Sequence, residues 1–228
     1  MRMRLVHGFT QTPRSWDRVE ARLPRDWDVQ ALDVPDGLDF VATADTLGVR
    51  GGSATWVGYS MGARLCLRLA LDRPQVVDRL ALVSGSPGIE SATERRTRRA
   101  ADDRLAADVE RDGVAVFLER WLDQRLFETL PREAAMVDDR RLGNTVNRLA
   151  HQLRALGQAA QDPLWDRLSR LEMPVLVLSG AYDRKYTEIA ERMVEAIGSN
   201  ARGEVVARAG HAVHLERPEE LAQLLATW

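Results

Sequence analysis

Gly58-Tyr59-Ser60-Met61-Gly62 follows the strand-like run Ala54-Thr55-Trp56-Val57 and precedes Ala63-Arg64-Leu65-Cys66-Leu67-Arg68-Leu69-Ala70, whose apolar spacing reads as a helix. A serine between two glycines at a strand-to-helix reversal is the pattern of a nucleophile elbow. So sharp a turn puts its middle residue in a strained backbone conformation, and a Cβ at either flank would strike the neighbouring strand or helix. Ser60 is therefore expected to stand clear of the end of a sheet, exposed to whatever lies above it.

Working outward, the same rhythm recurs on both sides. Met3-Arg4-Leu5-Val6 reads as a short strand ending at His7-Gly8-Phe9-Thr10, and Trp16 to Leu23 has helical apolar spacing before Pro24. Trp27 to Leu32 alternates as a second strand and runs into Asp33-Val34-Pro35-Asp36-Gly37. A brief helix over Phe40 to Leu47 and the turn Gly51-Gly52 lead to the elbow strand. Arg79 to Ser84 forms a fourth strand, stopped by Gly85-Ser86-Pro87-Gly88. Val175 to Gly180 makes a fifth, followed by a helix over Thr187 to Ile197; Gly203 to Ala207 makes a sixth, and Pro218 opens a terminal helix. Strands alternating with helices imply a mainly parallel sheet of six strands with right-handed crossovers.

From Ile89 to Arg170 the strand rhythm stops. Fifteen arginines and fifteen acidic residues recur there at helical spacing, with breaks near Gly113, Pro131 and Gly143-Asn144. The chain is thus expected to be a single domain, 1–228, with a core of 1–88 and 171–228 and a helical cap inserted at 89–170.

Composition narrows the function. The 228 residues are 45% hydrophobic and 29% charged, ordinary values for a globular chain with one substantial core. With 32 basic residues against 34 acidic, the charge of −2 gives no electrostatic case for nucleic acid or an anionic membrane surface. No apolar run approaches about 20 residues, and the N-terminus has no signal-peptide pattern, so membrane insertion and export are not expected. The one cysteine, Cys66, falls in the apolar pattern after the elbow and cannot pair within the chain; it reads as a small buried hydrophobe and fits a reducing cytoplasm. The four histidines and the lone thiol make no metal-ligand pattern, and Gly51-Gly52 precedes a strand instead of opening a helix, so neither a metal nor a nucleotide cofactor is expected.

Functional groups of a parallel sheet gather outside the carboxyl ends of its strands. Four such ends carry chemistry here: His7-Gly8-Phe9 after the first, Ser60 after the third, Asp183 after the fifth and His211 after the sixth. A serine hydroxyl needs an imidazole to accept its proton, and the imidazole needs a carboxylate to fix its tautomer and favour its charged form. Ser60, Asp183 and His211 follow one another in the order found in α/β-hydrolase triads. Negative charge developing on a substrate needs N–H donors, and the amides of Met61 and Phe9 fall where an oxyanion hole requires them. Among the other histidines, His214 reads as support for the His211 loop, His7 as a turn residue and His151 as an interhelix or surface residue.

These motifs identify the chain as resembling the α/β-hydrolase superfamily, from residue 3 to the C-terminus. Within it, Gly58 to Arg64, Gly85-Ser86-Pro87-Gly88-Ile89, Trp121 with Phe127, Leu149-Ala150 with Leu153-Arg154, and Gly180 to Tyr186 resemble the 2-succinyl-6-hydroxy-2,4-cyclohexadiene-1-carboxylate synthases (MenH) of menaquinone biosynthesis. That resemblance implies a lyase that expels pyruvate by an elimination begun by proton abstraction, with Ser60 the base activated by His211 and Asp183. It also implies a small substrate bearing several carboxylates, for which guanidinium is the suited partner. Arg64, Arg96 and Arg141 fall at the family's arginine positions, and Tyr59 and Trp121 at its pocket aromatics. Relative to the superfamily, the chain lacks two leading strands and the usual Gly-x-Gly after the second strand, where Asp36-Gly37-Leu38 stands. Two other functions use the same residues: hydrolysis of esters or C–C bonds, and a small-molecule receptor that retains the triad.

Overall fold

The computed structural model describes residues 1–228. Six strands, β1 (Arg2–Val6), β2 (Asp28–Leu32), β3 (Ala54–Tyr59), β4 (Val77–Val83), β5 (Val175–Gly180) and β6 (Ala201–Val206), form one sheet in the order β2-β1-β3-β4-β5-β6. Every pairing is parallel. The strand order reverses at β1, which lies between β2 and β3, so a crevice opens beyond the carboxyl ends of β1 and β3. That is where His7-Gly8-Phe9 and Ser60 emerge.

The helices are α1 (Asp17–Glu20), α2 (Phe40–Gly51), α3 (Met61–Asp72), α4 (Ala92–Leu122), α5 (Val137–Leu142), α6 (Val146–Leu156), α7 (Arg184–Ile197), α8 (Val213–Glu216) and α9 (Pro218–Thr227). β3 and β5 are buried along their whole length, which is why they read as unbroken apolar runs, whereas the edge strand β2 alternates with solvent and the edge strand β6 is mostly open to it. On one face, Leu65, Leu69 and Trp56 pack with Phe40 and Leu47 of α2 and Met193 of α7. The other face joins Met3, Leu5 and Val57 to Trp16, Leu221 and Leu225. Each such aliphatic side chain contributes about 1.5–3 kcal/mol on full burial, and together they make the sheet a rigid platform for its loops.

Between β4 and β5 the chain is helical, and α4 and α6 enclose a small cluster of Ala106, Val109, Phe117, Leu149 and Leu153. Ser91 caps α4 by accepting from the amide of Glu94, and Gly113, at φ +76°, breaks that helix where the sequence has its first interruption.

Several boundaries differ from the sequence reading. Trp16 to Leu23 is a 3₁₀ turn, Pro13–Trp16, followed by only the short α1, because Pro24 stops the helix one turn on. α2 extends four residues past Leu47 to Gly51, and α7 begins at Arg184 instead of Thr187 because Asp183 caps it. β6 starts two residues before Gly203.

Candidate active site

Ser60 sits at φ +51°, ψ −105°, outside the regions non-glycine residues ordinarily occupy. The flanking glycines permit this. A Cβ on Gly62 would lie 2.2 Å from the Val6 carbonyl oxygen, and one on Gly58 would lie 2.4 Å from that of Gly62. Strand, turn and helix therefore approach one another more closely than any side chain allows, and the serine is held up at the end of β3.

His211 reaches Ser60 from the loop after β6, its Nε2 lying 3.1 Å from Oγ. Its Nδ1 is 2.6 Å from Asp183 Oδ2, and the other Asp183 oxygen accepts from the Tyr186 amide. Asp183 thus caps α7 while orienting the imidazole, with both residues nearly excluded from water. The loop carrying His211 is itself gripped. The buried Glu216 accepts from the amides of Gly210 (2.8 Å) and Ala212 (3.1 Å), on either side of the histidine, and Ser84 Oγ donates to the His211 carbonyl at 2.8 Å.

Phe9 follows β1 and its amide donates to no acceptor in the protein, while Met61 opens α3 with one of the helix's unpaired N–H groups. Gly8 donates instead to Gln11 Oε1, fixing the loop before Phe9. His7 is wholly buried, with its ring nitrogens at the Gly8 carbonyl (2.9 Å) and Asp33 (3.0 Å). His214 is also fully buried, 3.2 Å from Gln11, with its ring centroid 4.1 Å from that of Tyr59. Burial first, then the Arg140 charge, hold its pKa well below the ordinary histidine value, so it stays neutral as a packing and hydrogen-bonding group. His151 lies between helix and loop, bonded to the Leu38 carbonyl.

Ser60 and His211 open into a cavity of about 310 Å³ between sheet and inserted helices. Phe9, Tyr59, Trp121, Leu153 and Tyr186 supply apolar wall, and the Trp121 ring meets Phe9 edge-on at 4.9 Å. Arg64, one turn into α3, is nearly buried. Its guanidinium donates to the carbonyls of Leu156 (2.6 Å) and Gly157 (3.3 Å) and to Gln161 Oε1 (3.3 Å), with no carboxylate among its partners. Arg140 is buried too, donating from Nε to the Ala135 carbonyl and from Nη1 to Thr10 Oγ1, while Nη2 has no partner. Burial brings both guanidiniums down to a pKa of about 10, still charged at neutral pH. Two desolvated guanidiniums without an ion-paired carboxylate thus lie beside one cavity, with Asp102 the nearest opposing charge to Arg64 and Asp139 to Arg140.

The other two arginines read from the sequence lie elsewhere. Arg96 is exposed and donates to Thr93, and Arg141 is exposed and paired with Asp138 at 3.1 Å. Arg98 and Arg140 line the cavity instead. On a helix, moving one position turns a side chain by about 100° and moving two turns it by about 200°, to nearly the opposite face, so even this small an error of register puts the charge on the wrong side. Arg98 is held by Asp102, whose carboxylate is buried and keeps one oxygen unpartnered, and by Gln158, which in turn donates to the Tyr186 hydroxyl. Lys185 stands exposed at the cavity's edge. Of these residues missed earlier, only the Arg98–Asp102 spacing of four left a signal in the sequence. No group of three His, Cys, Asp or Glu residues could hold a metal ion, and no helix is long and apolar enough to cross a membrane.

The model of the alpha/beta hydrolase family matches residues 5–224. The chain belongs to that family. Among relatives of this alpha/beta hydrolase, a Bacillus subtilis (strain 168) protein provisionally named 2-succinyl-6-hydroxy-2,4-cyclohexadiene-1-carboxylate synthase is 31% identical, over 97% of this chain and 87% of its own. The enzyme of that name from Serratia proteamaculans (strain 568) is 30% identical, over 95% and 88%. Among solved structures, MenH from S. aureus superposes on the alpha/beta hydrolase with a TM-score of 0.93 at 27% identity, covering 100% of this chain and 92% of that one.

Proposed function

We propose that this chain is a MenH-type lyase that eliminates pyruvate from a polycarboxylate intermediate of menaquinone biosynthesis. The observation that carries the reading is the pair of buried guanidiniums, Arg64 and Arg140, neither hydrogen-bonded to a carboxylate, lining the same cavity as Ser60 and His211. A pocket for neutral esters would have no use for two desolvated cations. The names of the relatives, at about 30% identity over nearly the whole chain, support the same substrate class.

In this mechanism the substrate carboxylates bind to guanidinium, with Arg98 as a third cation, and the ring packs against Tyr59 and Trp121. Ser60 Oγ takes a proton from the ring carbon that carries the succinyl group, acidified by its ketone, as His211 Nε2 takes the hydroxyl proton. Asp183 stabilises the imidazolium so formed. The electron pair of the broken C–H bond becomes the new ring double bond, and the C–O bond to the three-carbon unit breaks. That unit leaves as the enolate of pyruvate and recovers a proton from His211, restoring the starting state with no water consumed. The amides of Phe9 and Met61 stabilise charge gathering on the succinyl ketone oxygen during proton removal.

A second reading, hydrolysis of esters or C–C bonds, is favoured by the same elbow with its two free amides, since that geometry suits a tetrahedral oxyanion. The two are separated by supplying the elimination substrate and following pyruvate, in parallel with a short-chain p-nitrophenyl ester. Pyruvate release lost in Ser60→Ala supports elimination; ester turnover with no pyruvate would sink it in favour of hydrolysis.

A further inference from the structure

The oxyanion loop contains a residue that ought not to be there. Thr10, directly after Phe9, is wholly buried and has φ +66°, in the left-handed region that β-branched residues avoid. Such a conformation persists only where the surroundings over-determine it. Here the surroundings are contributed by the segment containing α5. Asn144 Nδ2 donates to the Thr10 carbonyl at 2.8 Å and to the Arg140 carbonyl at 2.7 Å, so one amide group ties the loop to the end of α5. Arg140 donates to Thr10 Oγ1, and two residues on Thr12 Oγ1 donates to Asp139. The fit is close: a Cβ on Gly143 would lie 2.3 Å from Thr12 Cγ2.

From this geometry we infer that Asn144 is a positioning residue for the oxyanion hole. The Thr10 carbonyl it holds belongs to the residue directly after Phe9, and fixing Thr10 restrains the torsions that aim the Phe9 N–H. The inserted helices thus do more than cover the pocket: they set the direction of one of its two backbone donors. Arg140 joins both tasks, with Nη1 on Thr10 and Nη2 free beside the cavity, so an anion taken up by Arg140 meets a donor already in place. The inference rests on the reading of Ser60 as the reactive group and is independent of whether the reaction is elimination or hydrolysis.

An uncharged alkyl fluorophosphonate tests it, because phosphonylation of Ser60 needs both the triad and the oxyanion donors and can be followed by mass spectrometry. Losing one donor outright costs on the order of 10²–10³ in rate, so mis-aiming one in Asn144→Ala is expected to slow labelling by about tenfold or more. The pH dependence of labelling stays that of the wild type. Labelling at the wild-type rate would overturn the inference, and so would a slowed rate accompanied by a displaced pH profile, which would locate the damage in the triad. Asn144→Ser, a smaller perturbation, is followed by amide hydrogen exchange. Residues 7–12 are expected to exchange about tenfold faster while β3 and β5 are unchanged; unaltered exchange in 7–12 refutes the positioning role. A wild type that labels at Ser60 and releases no pyruvate would refute the elimination reading alone.

Discussion

Replacing Asp183 by asparagine isolates the electrostatic part of the site. The side chains are the same size, and asparagine is as good a helix N-cap as aspartate, so α7 keeps its cap and the fold is expected to melt within a few degrees of the wild type. What changes is the partner of His211 Nδ1, 2.6 Å away. An amide nitrogen turned toward the ring forces Nδ1 to accept, moves the proton to Nε2 and leaves Ser60 Oγ, 3.1 Å off, facing a donor that cannot take its hydrogen. The lost charge sets an upper bound. At that separation and an effective dielectric of about 20, carboxylate and imidazolium attract by about 6 kcal/mol, or between four and five decades of rate at about 1.4 kcal/mol per decade. An amide oxygen turned toward the ring recovers part of this, and the expected loss is about 10³–10⁴ in the rate of Ser60 phosphonylation; on the proposed elimination, pyruvate release falls in parallel. Asp183→Asn within tenfold of the wild type, in a protein of unchanged melting temperature, would show that the Asp183–His211 contact does not set the reactivity of Ser60.

Three further outcomes follow from individual contacts. Gly62→Ala would push a methyl group against the carbonyls of Val6, the last residue of β1, and of buried His7 just after it, backbone that cannot move aside, and is expected to cost about 3 kcal/mol or more by urea denaturation; a loss below about 1 kcal/mol would mean the elbow relaxes freely. Burial raises the Asp33 pKa, but the bonds from His7 and Arg148 outweigh it and bring the carboxyl down to about 2 from an ordinary 3.8. The resulting stability is present above the ordinary value and is lost as pH falls from about 4 to 2. The full displacement would be worth about 2.4 kcal/mol, and for a side chain half exposed to solvent about 1 kcal/mol is expected, measured as a flatter acid limb of melting temperature against pH in Asp33→Asn. Burial pushes the Cys66 thiol up, so native protein should stay inert to a disulfide reagent at pH 8 and react once unfolded; rapid native reaction would place Cys66 at the surface.

How far the sequence could be read depended on whether a feature was tied to a strand end. Ser60 and Asp183 each follow a buried strand, whose apolar run fixes the turn after it to the end of the sheet whatever the loops do, and His211 follows Gly210 in the loop after the edge strand β6. The parallel order of the sheet followed from the same alternation. The pocket cations had no such anchor. Arg96 and Arg141 sit in a stretch where arginine recurs every few residues, and there the phase of a helix, not its presence, decides which charge faces inward. Ser84 was illegible for another reason: it acts on the His211 carbonyl from 127 residues away, whereas Glu216 grips the His211 loop from only four and six residues away with no motif to mark it. Trp16 to Leu23 failed as a helix because apolar spacing says which face is buried but not how many turns a proline permits.

Of the chain's 32 basic residues only Lys185 is a lysine, and it stands exposed at the mouth of the cavity. Amine chemistry on this protein is therefore almost site-directed by composition. Apart from the α-amino group, an N-hydroxysuccinimide ester has one place to react, beside Tyr186 and within reach of the triad. A fluorophore coupled there would report occupancy of the pocket directly, whereas attaching the protein to a sensor surface through its amines would tether it by the entrance and mask the very binding being measured.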